Sequence, residues 1–196
     1  GKGTNGDSGD RIVIGNSTPR FEYGFRLGAD FKGFDLSVFL QGIGRREIWG
    51  AGQLAIPGYH VKDGAMPQAI AEDFWKKDRT DAFYPRAWNL NGSNEGYVMR
   101  PQTRYLLDMS YFKIKNITFG YSLSPNILRG IKLKNARIYV SLENFFTFDN
   151  LRGLPIDPET ISGNSMLLTN GNYNLGRTGT GNPTFKSASM GIQIGL

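Results

Sequence analysis

Five aromatic residues, Trp49, Tyr59, Trp75, Trp88 and Tyr97, fall in a proline-punctuated stretch with Pro57, Pro67 and Pro85. Flat indole and phenol faces carried on a loop suit stacking on a sugar ring, or clasping a peptide or a second protein. The same residues also suit packing into a small core of the loop's own. Asp149, Asp157 and Glu159 offer the hard oxygen ligands that calcium takes. Their spacing matches no calcium loop, so they read as a solvated acidic loop and no metal is expected. With no Cys and a single His, His60, thiol and imidazole chemistry have almost no material. Acid–base catalysis needs paired carboxylates, or a nucleophile with its base, brought together by the fold. No spacing indicates such a pair, so an enzyme is not expected and no cofactor is implied.

Those residues must be held by something, and composition favours sheet. The chain has 196 residues, of which 26 are Gly, and aromatic residues make up 13%; turns and aromatic-faced strands are favoured over helix bundles. Mean hydropathy is −0.36, and no run approaches the roughly 18 to 20 apolar residues of a spanning helix. A helical membrane protein is thereby excluded, whereas a membrane β-barrel, whose strands alternate, is not. The formal charge of +6 comes from Lys and Arg spread along the chain rather than gathered in a basic stripe, so no nucleic-acid partner is expected. The chain begins Gly1-Lys2-Gly3, with no initiator Met and no signal peptide, which suggests a processed piece or the C-terminal part of something longer.

Strict period-two alternation marks the strands. Phe21, Tyr23, Phe25, Leu27, Ala29 and Phe31 alternate with Glu22, Gly24, Arg26, Gly28 and Asp30. After Lys32-Gly33, Phe34, Leu36, Val38 and Leu40 alternate with polar positions. A two-residue turn there pairs Phe31 with Phe34, Leu27 with Val38 and Phe25 with Leu40, which puts every apolar residue on one face. Alternation returns at Ile117, Phe119, Tyr121 and Leu123, but Phe112 and Ile114 are out of phase, and a bulge near Lys115-Asn116 reconciles them. Ala136, Ile138, Val140 and Leu142 mark a fourth strand, and Ala188, Met190, Ile192, Ile194 and Leu196 a fifth. The strands are expected at about 20–31, 34–44, 107–123, 135–147 and 186–196. Residues 1–19 read as a loop, the segments at about 45–106 and 149–184 as two long loops, and Ala69–Lys77 as a short helix in the first of these.

Two patterns separate a membrane wall from a soluble sandwich. The strands run to ten or twelve residues, near the roughly 9 to 11 of a tilted membrane strand, and the first covers about 33 Å, or about 25 Å when tilted. Aromatics sit at the ends and aliphatics between, as in two interfacial girdles. The connections alternate short and long, so both short turns fall at one end and both long loops at the other, the arrangement of an outer-membrane barrel with external loops. On this reading Phe25, Leu27, Val38, Leu40, Ile138, Val140, Ile192 and Ile194 face lipid, and Arg26, Arg137, Tyr139 and Glu143 face the lumen. The alternative is a soluble or surface-exposed β-sandwich that binds carbohydrate through its aromatic loop, with the apolar face against a second sheet.

Several blocks carry a family resemblance: Gly9-Asp10-Arg11 with Ile14-Gly15-Asn16 and Pro19; Phe83-Tyr84-Pro85-Arg86; and Asp108 with Ser110-Tyr111. They continue through Lys113-Ile114-Lys115-Asn116-Ile117-Thr118-Phe119-Gly120-Tyr121, Val140 to Phe146, and Asp157-Pro158-Glu159. They resemble the C-terminal end of the SusC/RagA family of TonB-linked outer-membrane proteins. The ending Ser189-x-Gly191-x-x-Ile194-x-Leu196 is similar to a barrel-assembly signal, with Leu196 in place of the usual aromatic.

The resemblance implies an all-β fold, an antiparallel transmembrane β-barrel segment supplying about the last five strands of a 22-stranded barrel, with the two long loops and residues 1–19 extracellular. It implies an importer of glycans or peptides in the outer membrane of a Gram-negative bacterium of the Bacteroidetes type. The partners so implied are the rest of the barrel and its plug domain, a SusD-like surface lipoprotein, outer-membrane lipid, and the TonB complex reached through an N-terminal part. The aromatic loop residues would then contact substrate or lid.

Overall fold

The computed structural model describes residues 12–49, 59–60, 66–86, 88–89, 102–130, 132–159 and 184–195. Five long strands, β1 (Phe21–Phe31), β2 (Phe34–Gly44), β7 (Tyr111–Ser122), β8 (Asn135–Asp149) and β9 (Ser187–Gly195), form one antiparallel sheet in the order β1-β2-β7-β8-β9. Among the described residues the sheet is an open band with β1 and β9 as its edges. Between β2 and β7 lie β3 (Glu47–Ile48), β4 (Tyr59–His60), helix α1 (Gln68–Ala71), β5 (Trp88–Asn89) and β6 (Leu107–Asp108); helix α2 (Pro125–Gly130) joins β7 to β8.

The β1–β2 hairpin has the register demanded by its alternation: Phe31 opposite Phe34, Leu27 opposite Val38, Phe25 opposite Leu40. Lys32 (φ 48) and Gly33 (φ 90) both take the left-handed backbone of a tight two-residue turn. The bulge falls where the phase change required it, with β2 and β8 slipping register between Ile114 and Asn116 of β7. On β8 the compensating residues include Asn144, at φ 56. The slip sets Phe25, Leu40, Ile114 and Phe146 side by side on the same face as the rows Leu27, Val38, Ile117, Leu142, Ala188 and Ala29, Leu36, Phe119, Val140, Met190.

Two expectations need correction. The third long strand starts at Tyr111, because Asp108 turns the chain by accepting hydrogen bonds from the Ser110 N–H (2.9 Å) and hydroxyl (2.6 Å); Leu107 and Asp108 pair instead with Ile48 and Glu47. The helix expected over Ala69–Lys77 stops at Ala71. Beyond it the Asp73 carbonyl and the Trp75 N–H are taken by Tyr84 of a parallel segment, so those two groups do not continue the helix.

Candidate functional site

The two faces of the sheet differ in kind. One carries large apolar side chains that stand exposed: Phe25 56%, Leu27 58%, Val140 43%, Ile192 66%. Val38, Leu40, Ile138 and Ile194 share that face by register. The opposite face is polar and internally bonded. Asn116 donates to the Ser141 hydroxyl (2.8 Å) and Thr118 donates to Asn116 (2.8 Å). The Arg137 guanidinium reaches over the middle strand to Asp35, with Nε donating at 2.8 Å. The path is open because Gly120 lies beneath it; a Cβ there would sit 2.5 Å from both Asp35 Oδ2 and an Arg137 nitrogen. Arg26 lies with its guanidinium 5.6 Å from the Phe39 ring centroid, which accounts for the one aromatic of β2 on this face. Arg26, Arg137, Tyr139 and Glu143 are all on the polar face.

At one end of the sheet the long connections fold onto each other. Ile48, Ile70, Tyr84, Tyr105, Leu107, Met109, Leu151, Leu154 and Ile156 make a buried cluster, drawn from both long loops. Met109 is 0% exposed and Ile70 1%. The residues before β1 join them: the Glu47 N–H donates to the Asn16 carbonyl (2.9 Å) and Arg46 Nε to the Ser17 carbonyl (3.1 Å). Both short turns lie at the opposite end of the strands.

Beside this cluster is a cavity of about 600 Å³ lined by Phe83, Arg104, Tyr105, Asp108, Asn150 and Arg152. Arg152 holds its guanidinium 3.9 Å from the Phe83 centroid and Arg104 lies 5.3 Å from the same ring. Arg104 also donates to the Ala82 and Phe83 carbonyls at 3.3 and 3.0 Å. Asn150 bridges to Asp108 (3.2 Å) and Ser110 (2.9 Å), tying the second long loop to the foot of β7. Tyr84 is buried in the cluster, and burial raises its phenol above the ordinary value. The cavity thus presents cation-backed aromatic surface together with amide and carboxylate groups. Among the described residues no three His, Cys, Asp or Glu side chains gather as a metal site would require.

Two of the aromatic loop residues, Tyr59 and Trp88, are paired by the fold, and Trp49 and Trp75 have different surroundings. Trp49 packs against the buried cluster. Trp75 is half-buried and lines a second, smaller cavity with Phe74, Lys76, Lys77 and Arg86. Tyr59 and Trp88 lie opposite each other in the parallel β4–β5 pair, and Tyr97 lies outside the described residues.

Of the three acidic residues expected to be solvated, Asp149 is exposed at the end of β8, whereas Asp157 and Glu159 are not free in solvent. Asp157 and Glu159 reach the polar face of the sheet and pair with Lys113 at 2.7 and 2.9 Å; Glu159 also takes Lys115, the bulge residue, at 2.8 Å. The Lys113 side chain is 2% exposed and that of Asp157 8%. Burial pushes the Asp157 carboxyl up, but hydrogen bonds from Lys113, from the Thr184 and Glu159 N–H groups and from the Thr184 hydroxyl outweigh it and bring the group down to about 2. Sequence reasoning missed this pairing, since 44 residues separate Lys113 from Asp157.

No family model matches the chain. Two curated relatives, both from Formosa agariphila, are TonB-dependent receptor P3, 30% identical over 94% of this chain, and TonB-dependent receptor P39, 26% identical over 74% of it. The chain spans 17% and 14% of their respective lengths. Among solved structures it is similar to the RagAB peptide importer in its closed-closed state, at 22% identity, TM-score 0.62, over 93% of this chain and 18% of that one. It is also similar to the open-open state, at 18% identity, TM-score 0.57, over 94% of this chain and 18% of that one. An antiparallel, two-faced sheet with its long loops gathered at one end, joined to these likenesses, identifies the chain as a stretch of β-barrel from an outer-membrane TonB-dependent receptor.

Proposed function

We propose that the chain forms about the last five strands of a 22-stranded barrel that imports glycans or peptides with energy from TonB, under a SusD-like surface lipoprotein. The observation that carries this reading is the pairing of an exposed apolar face with a hydrogen-bonded polar one on strands of membrane-spanning length. In it Phe25, Leu27, Val38, Leu40, Ile138, Val140, Ile192 and Ile194 meet lipid. Arg26, Arg137, Tyr139 and Glu143 face the lumen or the plug domain, and Asp157 and Glu159 hold the last long loop against the lumen wall. Residues 1–19, 45–106 and 149–184 are the extracellular parts.

The two binding classes fit the same surface. Aromatic residues of the long loops, Trp75 with Trp49, Tyr59, Trp88 and Tyr97, contact cargo or lid, and the cavity around Phe83, Arg104 and Arg152 lies at the same mouth. Names of the relatives support a receptor, and those of the structural neighbours support a peptide importer. The test is uptake by the host strain, with the receptor gene deleted, of fluorescently labelled oligopeptide and oligosaccharide pools, beside a strain lacking TonB. Loss of uptake of one pool in both strains is expected and names the cargo class. Undiminished uptake of both pools in both strains contradicts the reading.

A further inference from the structure

The short-turn end of the sheet carries charges that transport leaves unused. Residues 123–134, reading LSPNILRGIKLK, hold Arg129, Lys132 and Lys134 and no acidic residue. Lys32, at the tip of the neighbouring hairpin, places its ammonium 5.2 Å from the ring centroid of Phe31, an apolar-face residue that is 70% exposed. All four cations are exposed, and among the described residues none forms an ion pair. The nearby acids point elsewhere: Asp35 is engaged by Arg137, and Asp30 stands opposite it on the polar face.

Apolar and aromatic groups mark the same rim. In α2, Leu128 turns inward and is 8% exposed, whereas Ile127 is 49% exposed. Phe34 and Tyr121 lie with ring centroids 4.6 Å apart at the end of the apolar face. Long basic side chains beside an exposed isoleucine and a ring of aromatics suit the headgroup layer of a bilayer: the stems and rings lie along acyl chains while the charges reach out to phosphates.

We propose that Lys32, Arg129, Lys132 and Lys134, with Ile127 inserted between them, bind anionic phospholipid headgroups of the leaflet that this end meets, fixing the depth of the wall in the membrane. The proposal rests on the barrel reading. A basic side chain near an anionic surface contributes about a fivefold preference at low ionic strength, and salt weakens it.

The experiment is native mass spectrometry of the detergent-purified full-length receptor, titrated with phosphatidylglycerol or phosphatidylethanolamine. Its variants are K32Q/R129Q/K132Q/K134Q and the charge-keeping K32R/K132R/K134R, each checked for the heat-modifiable band of a folded barrel. The native receptor and the arginine variant are expected to retain phosphatidylglycerol preferentially. The glutamine variant is expected to lose that preference by about tenfold or more, and inorganic phosphate at about 10 mM should not displace the lipid. Equal preference in the folded glutamine variant overturns the proposal and leaves the barrel reading standing. Displacement by inorganic phosphate overturns it in favour of a free-phosphate site. A receptor that stays soluble without detergent overturns both.

Discussion

The sheet and the loop end of this chain bury their apolar residues in opposite ways. On the sheet, Phe31 and Met190 stand 70% and 78% exposed, and the apolar rows align from strand to strand. In the loop end, Met109 and Ile70 are 0% and 1% exposed within a cluster that both long loops build. An exposed apolar face of that size on a strand surface calls for a nonaqueous neighbour, whereas the loop cluster is a satellite core that water can surround. The chain thus carries a wall whose apolar residues stand outward and a cap whose apolar residues turn inward, joined through Met109, whose N–H donates to the Arg46 carbonyl at 2.8 Å.

The largest effect is expected where wall and cap are tied by charge. Lys113→Met in the full-length receptor removes the ammonium that donates to the buried Asp157 at 2.7 Å and should cost about 3–5 kcal/mol of loop docking. Limited proteolysis between 150 and 186 would report it, and Lys113→Met/Asp157→Leu should recover most of the loss. Equal protection in the single variant would show that the ion pair does not hold the loop.

Within the cap, Ile70→Ala opens a cavity in a closed core and should cost about 2–4 kcal/mol, read as faster hydrogen exchange in the loops with no change in the long strands. The wall should answer to position instead. Leu27→Arg or Val140→Arg should cost about 2–4 kcal/mol in urea unfolding in lipid, while Ser37→Arg, next along the opposite face, should cost much less. Similar costs on both faces would remove the difference between them.

Acid should loosen the cap before the wall. The Asp157 carboxyl is held at about 2 against an ordinary 3.8, so its contribution is complete above about pH 4 and fades as pH falls through 2, a total of about 2 kcal/mol. Pepsin cleavage of the loop should therefore rise across that window in the native receptor and show little further change in Asp157→Asn. Smaller still, Gly120→Ala should cost about 1–2 kcal/mol, because the added Cβ displaces the Arg137–Asp35 bridge that crosses above it; thermal unfolding beside Arg137→Gln would show the two losses overlapping.

The wall was legible in sequence because period-two alternation is a local signal and a two-residue turn leaves one register that keeps Phe25, Leu27 and Phe31 on a single face. Even the bulge at Lys115 could be placed, since Phe112 and Ile114 break phase with Ile117. The cap was not legible. Its residues follow neither a strand nor a helix period, and α1 ends after one turn because Tyr84, far along the chain, takes the groups that a longer helix would use. The Lys113–Asp157 pair was missed for the same reason: two lysines on a strand and an Asp-Pro-Glu turn each look solvated until the fold brings them together.

The two-faced wall is tested most directly by spin labels on single cysteines, in a cysteine-free full-length receptor reconstituted in lipid; this segment contributes no cysteine of its own. Labels at Phe25→Cys, Leu27→Cys, Val140→Cys and Ile192→Cys should collide with oxygen dissolved in the bilayer, and labels at Arg26→Cys, Tyr139→Cys and Glu143→Cys with a water-soluble nickel chelate. Labels at the apolar positions shielded from both reagents would mean that a second sheet covers them, and would contradict the account.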